Sequence, residues 1–155
     1  MEALNIELKN LQEMHLAAVQ SIGVQNIENA YQKLISWASS KGLFPSEQVK
    51  MITVYHDSFK TTPHDKVRIH AGMLVSQSIE KENMVFAETL PSGKYIVGSY
   101  ILSHEDFGQA WGALFQWMNN NGYQYKNTPP FEIYHNNYME HPEKKSIVDF
   151  YIPVI

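Results

Sequence analysis

NIENAYQKLISWASSKGL at residues 26–43 and DFGQAWGALFQWMNNNGY at residues 106–123 read as two copies of one helix. Offset by 80 positions, Ala30 meets Ala110, Leu34 meets Leu114, Trp37 meets Trp117 and Gly42 meets Gly122, while Tyr31 meets Trp111 and keeps an aromatic. Apolar residues fall at Ile27, Ala30, Tyr31, Leu34, Ile35 and Ala38, then at Phe107, Ala110, Trp111, Leu114, Phe115 and Met118. That spacing lays one apolar stripe along a 3.6-residue repeat, so each segment is predicted to be a helix with one buried face. Asn26 and Asp106 are predicted N-caps, with Ser103 a competitor, and Gly42 and Gly122 suit the left-handed position after the last turn. Trp37 and Trp117 are expected in the core, and Trp111 in the core first and against a ligand second.

The likeness extends outward from the helices at an offset of 79. Val54-Tyr55-His56-Asp57 meets Ile133-Tyr134-His135-Asn136, the stretch 67–75 meets 146–154, and Leu16-Ala17-Ala18-Val19 meets Tyr95-Ile96-Val97-Gly98. These flanks are short, rich in Val, Ile, Tyr and Phe, and bounded by Pro, Gly, Asn or Asp, which is the pattern of strands. Each half therefore reads strand, helix, strand, strand, with a further strand ahead of it at roughly 3–10 and 84–90. Two copies are too few for a solenoid. The expected fold is α+β within one domain spanning 1–155: duplicated βαββ modules, about 3–82 and 83–155, related by a pseudo-twofold. Their antiparallel sheet would carry both long helices on one face and leave the other available.

The 155 residues are 44% hydrophobic and 12% aromatic, enough for a real core and too apolar for disorder. With no cysteine, thiol catalysis, thiolate zinc and disulfides are excluded. Twelve basic residues against sixteen acidic ones give a net charge of −4, the single arginine is Arg68, and only Lys144 and Lys145 are adjacent cations, so direct nucleic-acid binding is not expected. Residues 1–9 have neither a leader pattern nor an anchor, and a soluble cytoplasmic protein is expected. A nucleophile elbow, a phosphate loop and a dinucleotide fingerprint are all missing. Seven histidines invite a metal reading, but His64/His70 and His135/His141 are six apart and suit no ligand motif. No metal and no cofactor are expected, and Arg68 is expected to pair with an acid.

The order LPSGKYIV (90–97), HEDFGQAWGALFQWM (104–118), PPFEIYHNN (129–137) and VDFYIPV (148–154), with SIGVQNIENAYQKLISWASSKGLFP and VYHDSFKTTPHDKVRIHAG in the first half, resembles the GyrI-like effector-binding family. That family includes the bacterial gyrase-inhibitory protein and the drug-binding domains of AraC-type and MerR-type regulators. The resemblance implies a ligand groove where two βαββ modules meet, and hydrophobic or cationic amphipathic ligands held in an aromatic pocket containing a glutamate. Some relatives inhibit DNA gyrase, and one subgroup hydrolyses strained cyclopropane-containing compounds. Regulators of the family carry a helix-turn-helix ahead of this domain. Strand-like sequence here begins by Leu4, so the chain resembles stand-alone members and would need a separate DNA-binding regulator for transcriptional output.

Glu132 is the leading candidate residue. It stands between Phe131 and Ile133, at the position of the family's pocket glutamate when the FE-x-Y motif is matched, and its repeat counterpart is Thr53. A partly buried carboxylate is costly unless partnered, and a cationic ligand would be a natural partner. A solvated carboxylate, or one bonded to a lysine or a tyrosine hydroxyl, is the alternative. Tyr134 shares the strand face of Glu132, and Tyr151 lies on the neighbouring strand. Tyr55 is the counterpart of Tyr134, Tyr95 borders the expected groove, and Trp111 completes the candidate ligand-binding set. Aromatic faces attract cations by ~0.5–2 kcal/mol; the alternative for each tyrosine is packing within the sheet. Three functions follow in order: binding of hydrophobic cations as in drug or toxin sensing, inhibition of DNA gyrase through a protein interface, and groove hydrolysis using Glu132.

Overall fold

Schellman turns close both helices in the computed structural model, which describes residues 3–45 and 49–155. Gly42, at φ 72°, lets the Leu43 N–H reach the Ala38 carbonyl, and Gly122, at φ 78°, lets the Tyr123 N–H reach that of Met118. Helix α1 is Ile27–Ser40 and α2 is Phe107–Asn120, and the face each buries is the predicted stripe: Ala30, Leu34 and Ala38 in α1, Ala110, Leu114 and Met118 in α2. The helix starts differ from expectation. Neither Asn26, Ser103 nor Asp106 caps with its side chain; each helix is instead entered through a 3₁₀ turn, Val24–Asn26 or His104–Asp106. The Asn26 amide turns back to the Ile22 carbonyl, which takes it away from the helix N–H groups.

Eight strands accompany the helices: β1 Asn5–Leu11, β2 Met14–Ile22, β3 Met51–Tyr55, β4 Arg68–Val75, β5 Phe86–Leu90, β6 Gly93–Leu102, β7 Phe131–Tyr134 and β8 Ser146–Val154. The fold is α+β, as expected. The chain divides into two compact units, a middle unit of Gln12–Ser92 and a C-terminal unit in which Gly93–Ile155 is joined by β1. Strand order in the middle unit is β3-β4-β2-β5, and in the C-terminal unit β1-β6-β8-β7, every pair antiparallel. The strand ahead of each sequence half thus pairs with the other half: β1 with β6, β5 with β2. Residues 91–92 join β5 to β6, two strands that pair with different partners.

In the middle unit, Ala17, Val19, Ala71 and Met73 face Ala30, Leu34 and Ala38. In the C-terminal unit, Ile96, Tyr100, Phe150 and Ile152 face Ala110, Leu114 and Met118. Trp37 and Trp117 are not fully inside as expected. Both are half-buried at the margins of these clusters, Trp117 stacked on Tyr123 at 6.1 Å and Trp37 directing its N–H to Glu82 at 3.4 Å. Arg68 grips Asp57 through two hydrogen bonds of 2.9 Å, and those bonds hold the Asp57 carboxyl down at about 2.

Helix α2 sits close on its sheet because β6 carries a glycine beneath it. A Cβ at Gly98 would stand 2.9 Å from Tyr100 Cε2 and 3.0 Å from Leu114 Cδ1. Gly98→Ala is therefore expected to destabilise the chain by about 1–3 kcal/mol through overpacking. Urea unfolding reads this as a lower midpoint at unchanged slope, and an unchanged midpoint would mean the helix can rise without cost.

Candidate functional site

Strand β7 is only four residues long, and three of them are buried. Alternation sends Phe131 and Ile133 to one face of the sheet, Glu132 and Tyr134 to the face carrying α2. Glu132 is 2% exposed, and a carboxylate so placed needs hydrogen-bond donors. It has them: the Tyr134 hydroxyl donates to Oε1 at 2.7 Å and the Trp111 indole N–H to Oε2 at 3.0 Å. Trp111 is in turn fixed by Phe150, its ring stacked at 4.3 Å with only 5° between the planes. Phe150 lies opposite Glu132 in the β7–β8 ladder. The result is an acidic group held at both oxygens by aromatic donors.

The middle unit has the same geometry with the charge removed. Tyr31, the counterpart of Trp111, places its hydroxyl 2.6 Å from the Thr53 hydroxyl, and Thr53 is the counterpart of Glu132. Tyr31 also donates to the Ile52 carbonyl at 2.7 Å. Tyr55 lies at the end of β3, edge-on to Phe59 at 5.3 Å.

Within the C-terminal unit, the five candidate residues do not form one wall. Glu132, Tyr134 and Trp111 come together, and Tyr55 belongs to the middle unit. Tyr95 and Tyr151 lie on the opposite sheet face from Glu132, because β8 pairs Phe131 with Tyr151 and Glu132 with Phe150. There they form a second aromatic group with Phe131: Tyr151 stacks on Phe131 at 4.6 Å, and Tyr95 meets Phe131 edge-on at 5.4 Å. That face is not open as expected, since Tyr95, Val97, Phe131, Ile133 and Tyr151 are all buried.

Burial pushes the Tyr151 hydroxyl up to about 12, with a smaller push from Asp149. A phenol that holds its proton more tightly when folded contributes its full stabilisation below the unfolded value of about 10, and loses it as pH rises towards 12. Stability is thus expected to fall between about pH 10 and 12, and Tyr151→Phe should flatten part of that fall in chemical-denaturation series across the range. An identical slope in the variant would remove Tyr151 as its source.

A second polar cluster, absent from the sequence reading, lies on the face of the middle sheet turned away from α1. Glu88 of β5 accepts from His56 Nε2 at 2.6 Å and from His70 Nδ1 at 2.7 Å, and His70 Nε2 stands 3.0 Å from Gln20 Oε1. Burial alone would push the Glu88 carboxyl up, but the two histidine hydrogen bonds overcome it and bring it to about 2. The signal available in sequence was the β3–β4 hairpin. Once Val54 pairs with His70, His56 follows two residues later on the same face. The related pair in the C-terminal unit is His135 with Asp149 at 2.9 Å. Elsewhere in the middle unit an open concavity of about 640 Å³ runs between α1 and the Glu82–Val85 bridge, lined by Lys33, Trp37 and Met84 among others. Among the described residues, no helix is long and apolar enough to cross a membrane.

Residues 4–155 match the model of the GyrI-like small molecule binding domain. A protein of Escherichia coli (strain K12) named DNA gyrase inhibitor is 27% identical over 143 residues, covering 88% of this chain and 89% of its own. Among solved structures, the EcmrR C-terminal domain superposes with a TM-score of 0.76 at 18% identity, covering 97% of each chain. The structure of SAV2435 bound to tetraphenylphosphonium superposes with a TM-score of 0.65 at 16% identity, covering 98% of this chain and 94% of that one.

Proposed function

The chain belongs to the GyrI-like small molecule binding domain family, and from that premise we propose that it binds a lipophilic organic cation at Glu132, with Trp111 and Tyr134 as aromatic contacts. The observation that carries the reading is the buried Glu132 carboxylate, held at 2.7 and 3.0 Å by two aromatic donors. Its partners are already in place, so a cation entering the site meets a charge that does not have to reorganise. Trp111 and Tyr134 give the site an aromatic lining, which favours a delocalised or quaternary cation over a compact ammonium. The complex of SAV2435 with tetraphenylphosphonium supplies the kind of compound to try.

Thermal denaturation and tryptophan fluorescence with tetraphenylphosphonium, against tetraphenylborate of the same shape and opposite charge, test the reading. The cation is expected to raise the melting temperature progressively with concentration, as mass action requires. It should also quench the Trp111 emission, while the borate does neither. Equal shifts with both ions, or none with either, would sink it.

A second reading rests on the curated relative named DNA gyrase inhibitor. Here the acidic chain, of net charge −4, acts on gyrase through a protein interface. Purified protein is then expected to slow gyrase supercoiling in a dose-dependent way; full supercoiling at large protein excess would remove this reading and leave the small-molecule one standing.

A further inference from the structure

We propose that His56, His70 and Glu88 form a binding site for one divalent transition-metal ion of the zinc type. Among the described residues this is the set of three such side chains whose donor atoms all lie within 4.8 Å of one another. Two imidazole nitrogens and one carboxylate oxygen make a donor set of borderline softness, suited to zinc rather than to calcium or magnesium, which prefer all-oxygen shells.

The fold brings these residues together. His70 lies in β4 opposite Val54 of β3 and opposite Gln20 of β2, while Glu88 comes from β5, which pairs with the other edge of β2. Their side chains are 23%, 10% and 11% exposed for His56, His70 and Glu88, so the site is largely sheltered yet reachable past His56. The imidazoles are mutually fixed, with ring centroids 3.9 Å apart, and Phe86 packs edge-on against His70 at 5.2 Å.

Ligand atoms around tetrahedral zinc stand roughly 3.3 Å apart, given metal–ligand bonds of about 2.0–2.1 Å. The carboxylate–imidazole separations of 2.6 and 2.7 Å therefore need to open by only a side-chain adjustment. Neutral imidazole ligates through a nitrogen without a proton. His70 would bind through Nδ1, leaving Nε2–H to donate to Gln20 Oε1, which stands 3.0 Å away. A zinc-bound histidine characteristically directs its other ring N–H to such an acceptor, which fixes tautomer and orientation. Gln20 is thus a positioning residue for the proposed site. Three protein ligands leave a fourth position for water or a small anion.

Tag-free full-length chain, dialysed against a chelator, is titrated with Zn2+ in competition with a chromophoric chelator, and with Co2+ for its visible ligand-field bands. One equivalent of zinc per chain is expected, with tetrahedral-type Co2+ absorption. His56→Gln and Glu88→Gln should each weaken zinc at least about a hundredfold, and Gln20→Ala about ten- to a hundredfold. Circular dichroism establishes that each variant is folded. Imidazole ¹⁵N spectra of the unaltered chain supply a readout independent of any variant: zinc should move His56 Nε2 and His70 Nδ1. No zinc retained against the competitor, undiminished binding in the folded variants, or shifts confined to other histidines such as His135 would each overturn the proposal.

Discussion

Phe150→Ala is expected to destabilise the chain by about 3–5 kcal/mol, the usual range for deleting a fully buried aromatic ring. Phe150 is 0% exposed and sits where the β6–β8–β7 ladder meets α2. It stacks on Trp111 at 4.3 Å, meets Tyr100 at 5.0 Å and Phe107 at 5.6 Å. Its neighbour across the ladder is Gly98, which has no side chain to move into the space. The cavity should therefore stay open, placing the cost at the upper end of the range. A drop in melting temperature of roughly 6–20 °C corresponds to that loss for a chain of this size. The variant should also bind cations more weakly even where it is folded, because the Trp111 ring loses the surface that aims its N–H at Glu132. Urea unfolding with a loss below about 1 kcal/mol would show that the ring is not closely packed.

The second large effect concerns affinity. Glu132→Gln is expected to weaken tetraphenylphosphonium binding by about 1–3 kcal/mol, roughly five- to 150-fold in Kd. The substitution removes the charge and leaves the shape. Trp111 can only donate, so the Gln carbonyl oxygen turns to the indole, and its amide group can donate to the Tyr134 hydroxyl oxygen. Both polar contacts survive in neutral form. Folding stability should therefore change far less than ligand affinity, and that separation distinguishes a counter-ion from a structural carboxylate. Calorimetry showing an unchanged Kd for the cation would remove Glu132 from the site. A parallel loss of stability and affinity would instead mark it as a structural group.

The two helices were legible in sequence because their determinants are local. A stripe of apolar residues at helical spacing needs only its own segment to be recognised, and the stripes Ala30-Leu34-Ala38 and Ala110-Leu114-Met118 are the faces buried. The terminating glycines are local as well, since a left-handed backbone angle is a property of one residue. Strand existence was legible for the same reason, in short runs of β-branched and aromatic residues between turn formers. The helix starts were misread because a cap competes with nearby carbonyls, and the Asn26 amide bonds to the Ile22 carbonyl.

Local sequence therefore carries the α+β class, the two buried helix faces, the helix C-termini and Glu132 as an acid flanked by apolar neighbours. Strand pairing is a long-range outcome, in which β1 joins β6 and β5 joins β2. Register then decided the rest. One step along β7 separates Phe131 from Glu132, and that step sends Tyr95 and Tyr151 to one face and Tyr134 and Trp111 to the other. The same holds for His56, His70 and Glu88, which are 14 and 18 residues apart in the chain yet meet within hydrogen-bond distance. Side-chain chemistry is written residue by residue, but which groups meet depends on strand order and register, set by the packing of the whole sheet rather than by any one segment.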